Sequence, residues 1–213
     1  MKLTPLLCVI LAFGVLAFAC CHARADYPKP SPYPISWELK FQHDMPKRVV
    51  VNVPGSGPTP YWYMTYTVTN NTDQERTFLP FFELVTKDGK VVRSDRNIPA
   101  IVFNAIKARE KKQLLEPFTK IGGEILLGED QAKDGVAIWE EPTARMGQFS
   151  IYCGNLSGEA VHLKDEAGQP VKDAEGKPII LRKTLQLNYL IRGDDVYPGE
   201  DDVNENPEEW VMR

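Results

Sequence analysis

The stretch Tyr61 to Thr69 reads Tyr-Trp-Tyr-Met-Thr-Tyr-Thr-Val-Thr, and no other segment constrains the fold as much. Every residue in it is aromatic, β-branched or Met, with no Gly or Pro. Such side chains lose χ1 freedom in a helix and pack well on a pleated surface. A period of two places Trp62, Met64, Tyr66 and Val68 on one face, read as the inward one. Tyr61, Tyr63, Thr65, Thr67 and Thr69 fall on the other. Asn70-Asn71-Thr72-Asp73 then supplies turn chemistry. Arg76 to Val85 returns as a strand interrupted by Pro80, which predicts a bulge or an edge. Asp88-Gly89 predicts a tight hairpin into Val91-Val92.

The rest of the chain follows the same grammar, with one exception. Trp37, Leu39 and Phe41 alternate with Glu38, Lys40 and Gln42, and Val49, Val51 and Val53 repeat the pattern. Pro54 to Pro58 breaks the chain into a loop. The exception lies after Asn97, which can cap a helix with Pro99 in its first turn. Val102, Phe103 and Ile106 recur at helical spacing, and Lys107, Arg109, Lys111 and Lys112 suit the negative end of the helix dipole. A helix over roughly 98–112 is therefore inserted between strands. From Phe118 to Asp134 the pattern is divided: Ile121, Ile125 and Leu126 permit a helix, while Gly122-Gly123 and Gly128 oppose one. Strands resume at Val136–Trp139, Phe149–Cys153 and Ala160–Leu163, the last two expected to pair around Gly154–Gly158. The near-repeat Lys164–Val171 and Lys172–Ile179 reads as a long hairpin tip, and Ile179–Ile191 as a long strand. Residues 193–212 carry eight acids and no Lys or Arg, so a mostly solvated tail is expected, with Trp210-Val211-Met212 docking at its end.

These elements predict an all-β chain, an immunoglobulin-like antiparallel β-sandwich with one inserted helix. Tyr66, Val68, Asn70 and Thr72 match the Y-x-V-x-N-x-[ST] pattern by which bacterial immunoglobulin-like domains enter the turn between strands. With Asp134–Trp139, Phe149–Glu159 and Leu181–Tyr189, the chain resembles uncharacterised secreted bacterial proteins of that fold over most of 33–213. The resemblance implies the fold and an exported address. It carries no catalytic residues, and the two bridged cysteines of antibody domains are absent.

The address is also written at the start. Lys2, the apolar run Leu6 to Ala19 and Ala23-Arg24-Ala25 form a signal peptide over 1–25, with a secreted or periplasmic protein beginning at Asp26. A rival reading makes Cys20 a lipid-bearing N-terminus. An extended Pro- and Tyr-rich lead-in spans 26–34, the sandwich domain 35–192 and the acidic tail 193–213. The 213-residue chain has a formal net charge of −4, and losing Lys2 and Arg24 makes the exported form more acidic. That argues against nucleic acid and anionic membrane surfaces as partners. The exported chain has no membrane span. Cys153 is its sole cysteine, so no internal disulfide staples it and the core must hold it together.

The candidate sites are sparse. Cys153 shares the parity of Phe149 and Ile151 and reads as a small core hydrophobe rather than a nucleophile beside His162. His43-Asp44 and His162 lack zinc spacing, and Asp194, Asp195, Glu200, Asp201 and Asp202 do not follow a calcium-loop pattern. Arg192-Gly193-Asp194 is a chance-level tripeptide. Trp37, Trp62 and Trp139 read as core, leaving Tyr61 and Tyr63 as ligand-facing candidates. The cations of 107–112 read as a solvated helix end or, more sharply, a patch for an acidic partner. Glu83 and Glu124 are carboxylates whose separation decides whether they could work as a pair. No catalytic, cofactor or metal constellation emerges. The expectation is an exported non-enzymatic module binding a protein or envelope component; the alternative is a carbohydrate-binding or hydrolytic envelope protein.

Overall fold

The structure, a computed structural model, describes residues 27–192 and 203–213. The signal segment, the Asp26 start, Cys20, Gly193-Asp194 and the acids from Asp194 to Asp202 lie outside the described residues. The chain is predominantly β, in antiparallel sheets. Strands β1 (Lys40–His43) and β2 (Lys47–Val53) lead into β3 (Gly57–Thr69). Both pair along one edge of β3, β2 with its first half and β1 with its second. After the Asn70 turn come β4 (Arg76–Phe78) and β5 (Phe81–Thr86), split at Leu79-Pro80. The missing Pro donor ends one ladder, and β5 joins a different sheet from β4. Asp88-Gly89 makes the expected hairpin into β6 (Val91–Arg93), with Gly89 at φ 84°.

Helix α1 (Ala100–Glu110) follows. Its N-cap is Pro99 rather than Asn97, which instead adopts a left-handed conformation at φ 59° two residues upstream. The divided segment resolves into pieces: α2 (Phe118–Ile121), β7 (Gly123–Ile125) paired with β4, and a 3₁₀ turn at Glu129–Gln131. Strand β8 (Lys133–Glu140) pairs with the free edge of β3. Then come β9 (Gln148–Gly154), β10 (Ala160–His162), β11 (Ile180–Ile191) and β12 (Val203–Met212).

Two expectations on this half are corrected. Segments 149–153 and 159–163 do not pair with each other; β9 and β10 lie end to end along one edge of β11. The intervening residues leave that edge because Leu156 and Gly158 bond Leu39 and Trp37 of the N-terminal segment. Likewise 203–212 is a strand on the other edge of β11, not a solvated tail. Pro207 falls in the interrupted part of that register, where a missing donor is tolerated. The expected docking does occur: Met212 is buried and Trp210 packs on the core. The octapeptide repeat forms two turns, in which Asp165 Oδ1 accepts from Ala167 and Gln169, and Asp173 Oδ1 from Glu175 and Lys177. Leu163, Val171 and Ile179 close a ring of three backbone hydrogen bonds at their base.

The four-stranded sheet (β1, β2, β3, β8) faces the six-stranded one (β6, β5, β9, β10, β11, β12) across a single core. Trp62, Met64, Tyr66 and Val68 point into it, as their spacing requires, with Trp62 against Phe149 and Tyr66 against Phe82. Gly135 lies under the Tyr66 ring, where an added Cβ would sit 2.4 Å from Cζ. Cys153 is fully buried here, and burial pushes its thiol well above the usual range. The opposite face of β3 is covered too. Tyr61 and Tyr63 lie with Val51, Val53, Val136 and Ile138 beneath Val102 and Ile106 of α1. They are therefore a second core, not a ligand platform, because the helix inserted between strands packs back on that face.

Charged groups tie these layers together. The Tyr63 hydroxyl donates to Glu110 Oε1 at 2.7 Å, beside Lys47 at 3.1 Å. Burial alone would raise the Glu110 carboxyl, but these two hydrogen bonds bring it below its ordinary value. Lys107 donates to the Leu115 carbonyl and Lys112 to Asp44 Oδ2. Two members of the basic cluster are thus engaged within the chain, while Lys111 remains exposed. On the other sheet Lys183, 4% exposed, meets Glu38 at 2.5 Å and Glu159 at a looser 3.5 Å, with its ammonium 4.9 Å from the Trp210 ring centroid.

Trp62→Ala and Tyr66→Ala are each expected to cost about 3–5 kcal/mol, the range for a buried large aromatic. Thr67→Ala removes one hydrogen bond to Asp134 and is expected to cost about 1 kcal/mol. Urea midpoints check this order; its reversal would place β3 one residue out of register.

Candidate functional site

The connection from β6 to α1 reaches both sheets in two residues. Ser94 N donates to the Phe82 carbonyl in the large sheet, and Asp95 N donates to Ile138 in the small one. Asp95 makes this switch in the left-handed region, at φ 59°. A short polar side chain tolerates that conformation better than most. The turn places Asp95 in the lining of a cavity of about 280 Å³ on the outer face of β8. Its other walls are mainly apolar: Phe103 and the start of α1, Pro117-Phe118 at the start of α2, and Val136 and Ile138 below, with Thr119 beside them.

Asp95 Oδ2 is buried and has no hydrogen-bond partner among the described residues. Desolvation raises the carboxyl to about 7, against weaker opposing hydrogen bonds from the Ser94 side chain and the Ile138 backbone. Burial and the Asp95 charge together push the Tyr66 phenol well above its ordinary value. An acid held near neutrality in an apolar cavity can exchange a proton or meet a cation, and such perturbed groups concentrate at functional sites.

A second feature is the outer face of the six-stranded sheet. Phe81, Tyr152, Ile180, Arg182 and Arg213 border a pocket of about 300 Å³ around Glu83. Arg213 pairs with Glu83 at 2.8 Å and covers the Tyr152 ring at 4.0 Å from its centroid. Arg93 covers the Phe81 ring at 4.5 Å, and the ladder sets it directly opposite Glu83. Aromatic rings and guanidinia thus alternate across an otherwise polar sheet surface.

The structure separates the other candidates. Cys153 pairs with Leu185 and His162 with Ile180, so thiol and imidazole lie five residues apart along β11. Glu83 and Glu124 belong to different sheets. Trp62 and Trp139 are buried core and Trp37 packs on its margin. His43 stands in a cleft between β1 and β12, with Nε2 3.7 Å from Glu205 and 3.8 Å from Glu208. Among the described residues no group of three or more His, Cys, Asp or Glu side chains is placed to hold a metal ion.

Sequence reasoning missed Asp95 because Arg93-Ser94-Asp95-Arg96-Asn97 is ordinary turn composition. Its one local clue, an Asp where the β-hairpin gives way to the helix, does not reveal that α1 and α2 will bury it. No protein-family model, curated protein or solved structure matches the chain.

The Asp95 carboxyl makes stability fall as pH rises. Its folded pKa lies above the ordinary carboxylate value of 3.8, so the folded state holds the proton longer than the unfolded chain. Its favourable share is complete below about pH 4 and is lost as pH climbs through about 7. Asp95→Asn keeps the backbone conformation accessible and removes the ionisation. Relative to the parent, the variant is expected to gain on the order of 1–3 kcal/mol in denaturant stability between pH 5 and pH 8. A constant difference across that interval would refute the assignment.

Proposed function

We propose that the protein is an exported, non-enzymatic immunoglobulin-like β-sandwich module that binds another protein or an envelope component through the outer face of its large sheet. The strand pairing supports the fold assignment. Pairing of β3 with β8 in one sheet, and the consecutive order β6-β5-β9-β11 in the other, parallels the B–E and C′-C-F-G arrangement of such sandwiches. Strand β12 is an addition beyond β11. The export assignment rests on Lys2, the apolar run to Ala19 and Ala23-Arg24-Ala25.

The binding assignment is carried by one observation: Tyr152 and Phe81 sit half-buried under Arg213 and Arg93 on the open sheet face. Tyr and Arg are the residues most enriched where protein contacts concentrate their energy. Here stacking already holds them, so little rotamer freedom is left to lose on association. Among the described residues lining this pocket, Arg182 and Arg213 are set against Glu83, which favours an acidic partner surface. Guanidinia occupy the ring faces on which a sugar would stack, which favours a polypeptide over a carbohydrate.

The test is capture from an envelope fraction on the immobilised exported chain, compared with an Arg182→Glu, Tyr152→Ala variant. The parent is expected to retain a partner that elutes as salt is raised, because exposed charge attraction is screened. The variant is expected to lose it while its melting curve shows that it is still folded at the capture temperature. Equal capture by both, or none by the parent, would overturn the assignment.

A further inference from the structure

We propose that the cavity between β8, α1 and α2 is a binding site for a small organic ammonium ion with a compact apolar body, its charge held by Asp95. The site is separate from the outer face of the large sheet and does not depend on that face being used.

Three observations define the ligand. The first is the acid: Asp95 lines the cavity, and its Oδ2, buried just behind that wall, accepts no hydrogen bond among the described residues. A buried acceptor without a donor costs about 1–3 kcal/mol, more when charged, so a ligand bringing a donor is rewarded. The second is the wall. Phe103, Phe118, Val136 and Ile138 offer hydrocarbon, and the two phenyl rings can also face a cation. The third is size. A cavity of about 150 Å³ accepts benzene, so about 280 Å³ leaves room for one ring or branched alkyl group and a short arm.

The sign of the charge follows from the surroundings. Among the described residues lining the cavity Asp95 is the only ionisable one, while the Lys107 ammonium lies 6.0 Å from the Phe103 ring centroid. Tyr66 is the other titratable group that feels the carboxylate, and it stays neutral. An ammonium therefore meets an uncompensated acid, which it converts to a charge-assisted pair stronger than a neutral hydrogen bond. A carboxylate-bearing ligand would be repelled. The raised carboxyl pKa is consistent with a site that lacks its counter-ion.

The experiment is calorimetric titration of the exported chain at pH 8 with four primary amines: 2-phenylethylamine, benzylamine, cyclohexylmethylamine and isobutylamine. The matched neutral probe is 2-phenylethanol. At least one amine is expected to saturate one site, with the alcohol at least tenfold weaker than 2-phenylethylamine or undetectable. Asp95→Asn is expected to abolish the preference for the amine, and Phe103→Leu to weaken both probes alike. Chemical shifts of Val136 and Ile138 are expected to move on binding. The proposal fails if no amine saturates, if the alcohol binds as well as its amine, or if Asp95→Asn leaves amine affinity unchanged while the variant stays folded. The first of these outcomes would mean a cavity occupied by water alone.

Discussion

Strand β3 is buried on both faces from Tyr61 to Tyr66, and the rest of the molecule is arranged around that demand. Its even-numbered residues from Trp62 to Val68 need one apolar layer, and Tyr61 and Tyr63 need another. The large sheet meets the first need and α1 the second. With Cys153 buried and unbridged, it is this double coverage and not a bridge at Cys153 that holds the layers together. The order of layers is therefore helix, four-stranded sheet, six-stranded sheet, with β3 in the middle.

Covering β3 with a helix brings polar consequences. A helix packed on a strand face must orient its own charges, and Glu110 does so by accepting from Tyr63 and Lys47. Lys107 reaches a carbonyl, and Lys112 a carboxylate in an ion pair that stays exposed to solvent. On the far side of the core, Lys183 is held by Glu38 and Glu159, which fastens the N-terminal segment across the large sheet. Ser31 N donates to Glu159 at 2.8 Å and strengthens the same fastening. Removing one partner from such a buried group is costly even where the complete network adds little, so its value lies in fixing one arrangement.

The helix does not fill all the space it encloses. It leaves the cavity at its N-terminal end, floored by the outward residues of β8, and the turn before it puts an acid there. The contrast with Glu110 is instructive. Both carboxyls lose water, but Glu110 gains an ammonium and a phenol while Asp95 gains weaker hydrogen bonds and keeps one orphan oxygen. Asp95 is much the more deeply desolvated of the two, and the balance of desolvation against hydrogen-bonding partners sets which way each one shifts.

Local pattern in the sequence determined a good deal. The Trp62–Val68 face, the Val49–Val53 alternation, the Asn70 turn, the Asp88-Gly89 hairpin, the inserted helix and the long strand to Ile191 all follow from periodicity and turn chemistry within about ten residues. So does the burial of Cys153, which shares its face with Phe149 and Ile151. What the tertiary structure decided is which edges and faces meet. The pairing of β9 and β10 with β11 rather than with each other depends on Trp37 and Leu39, more than a hundred residues away. Strand β12 forms because β11 offers a free edge, which no composition of an acidic segment announces. Tyr61 and Tyr63 are core only because α1 returns to them, and Asp95 is perturbed only because two helices close over it. Period and turn residues act through neighbours along the chain; burial and charge act through neighbours in space, and those are fixed only when the layers close.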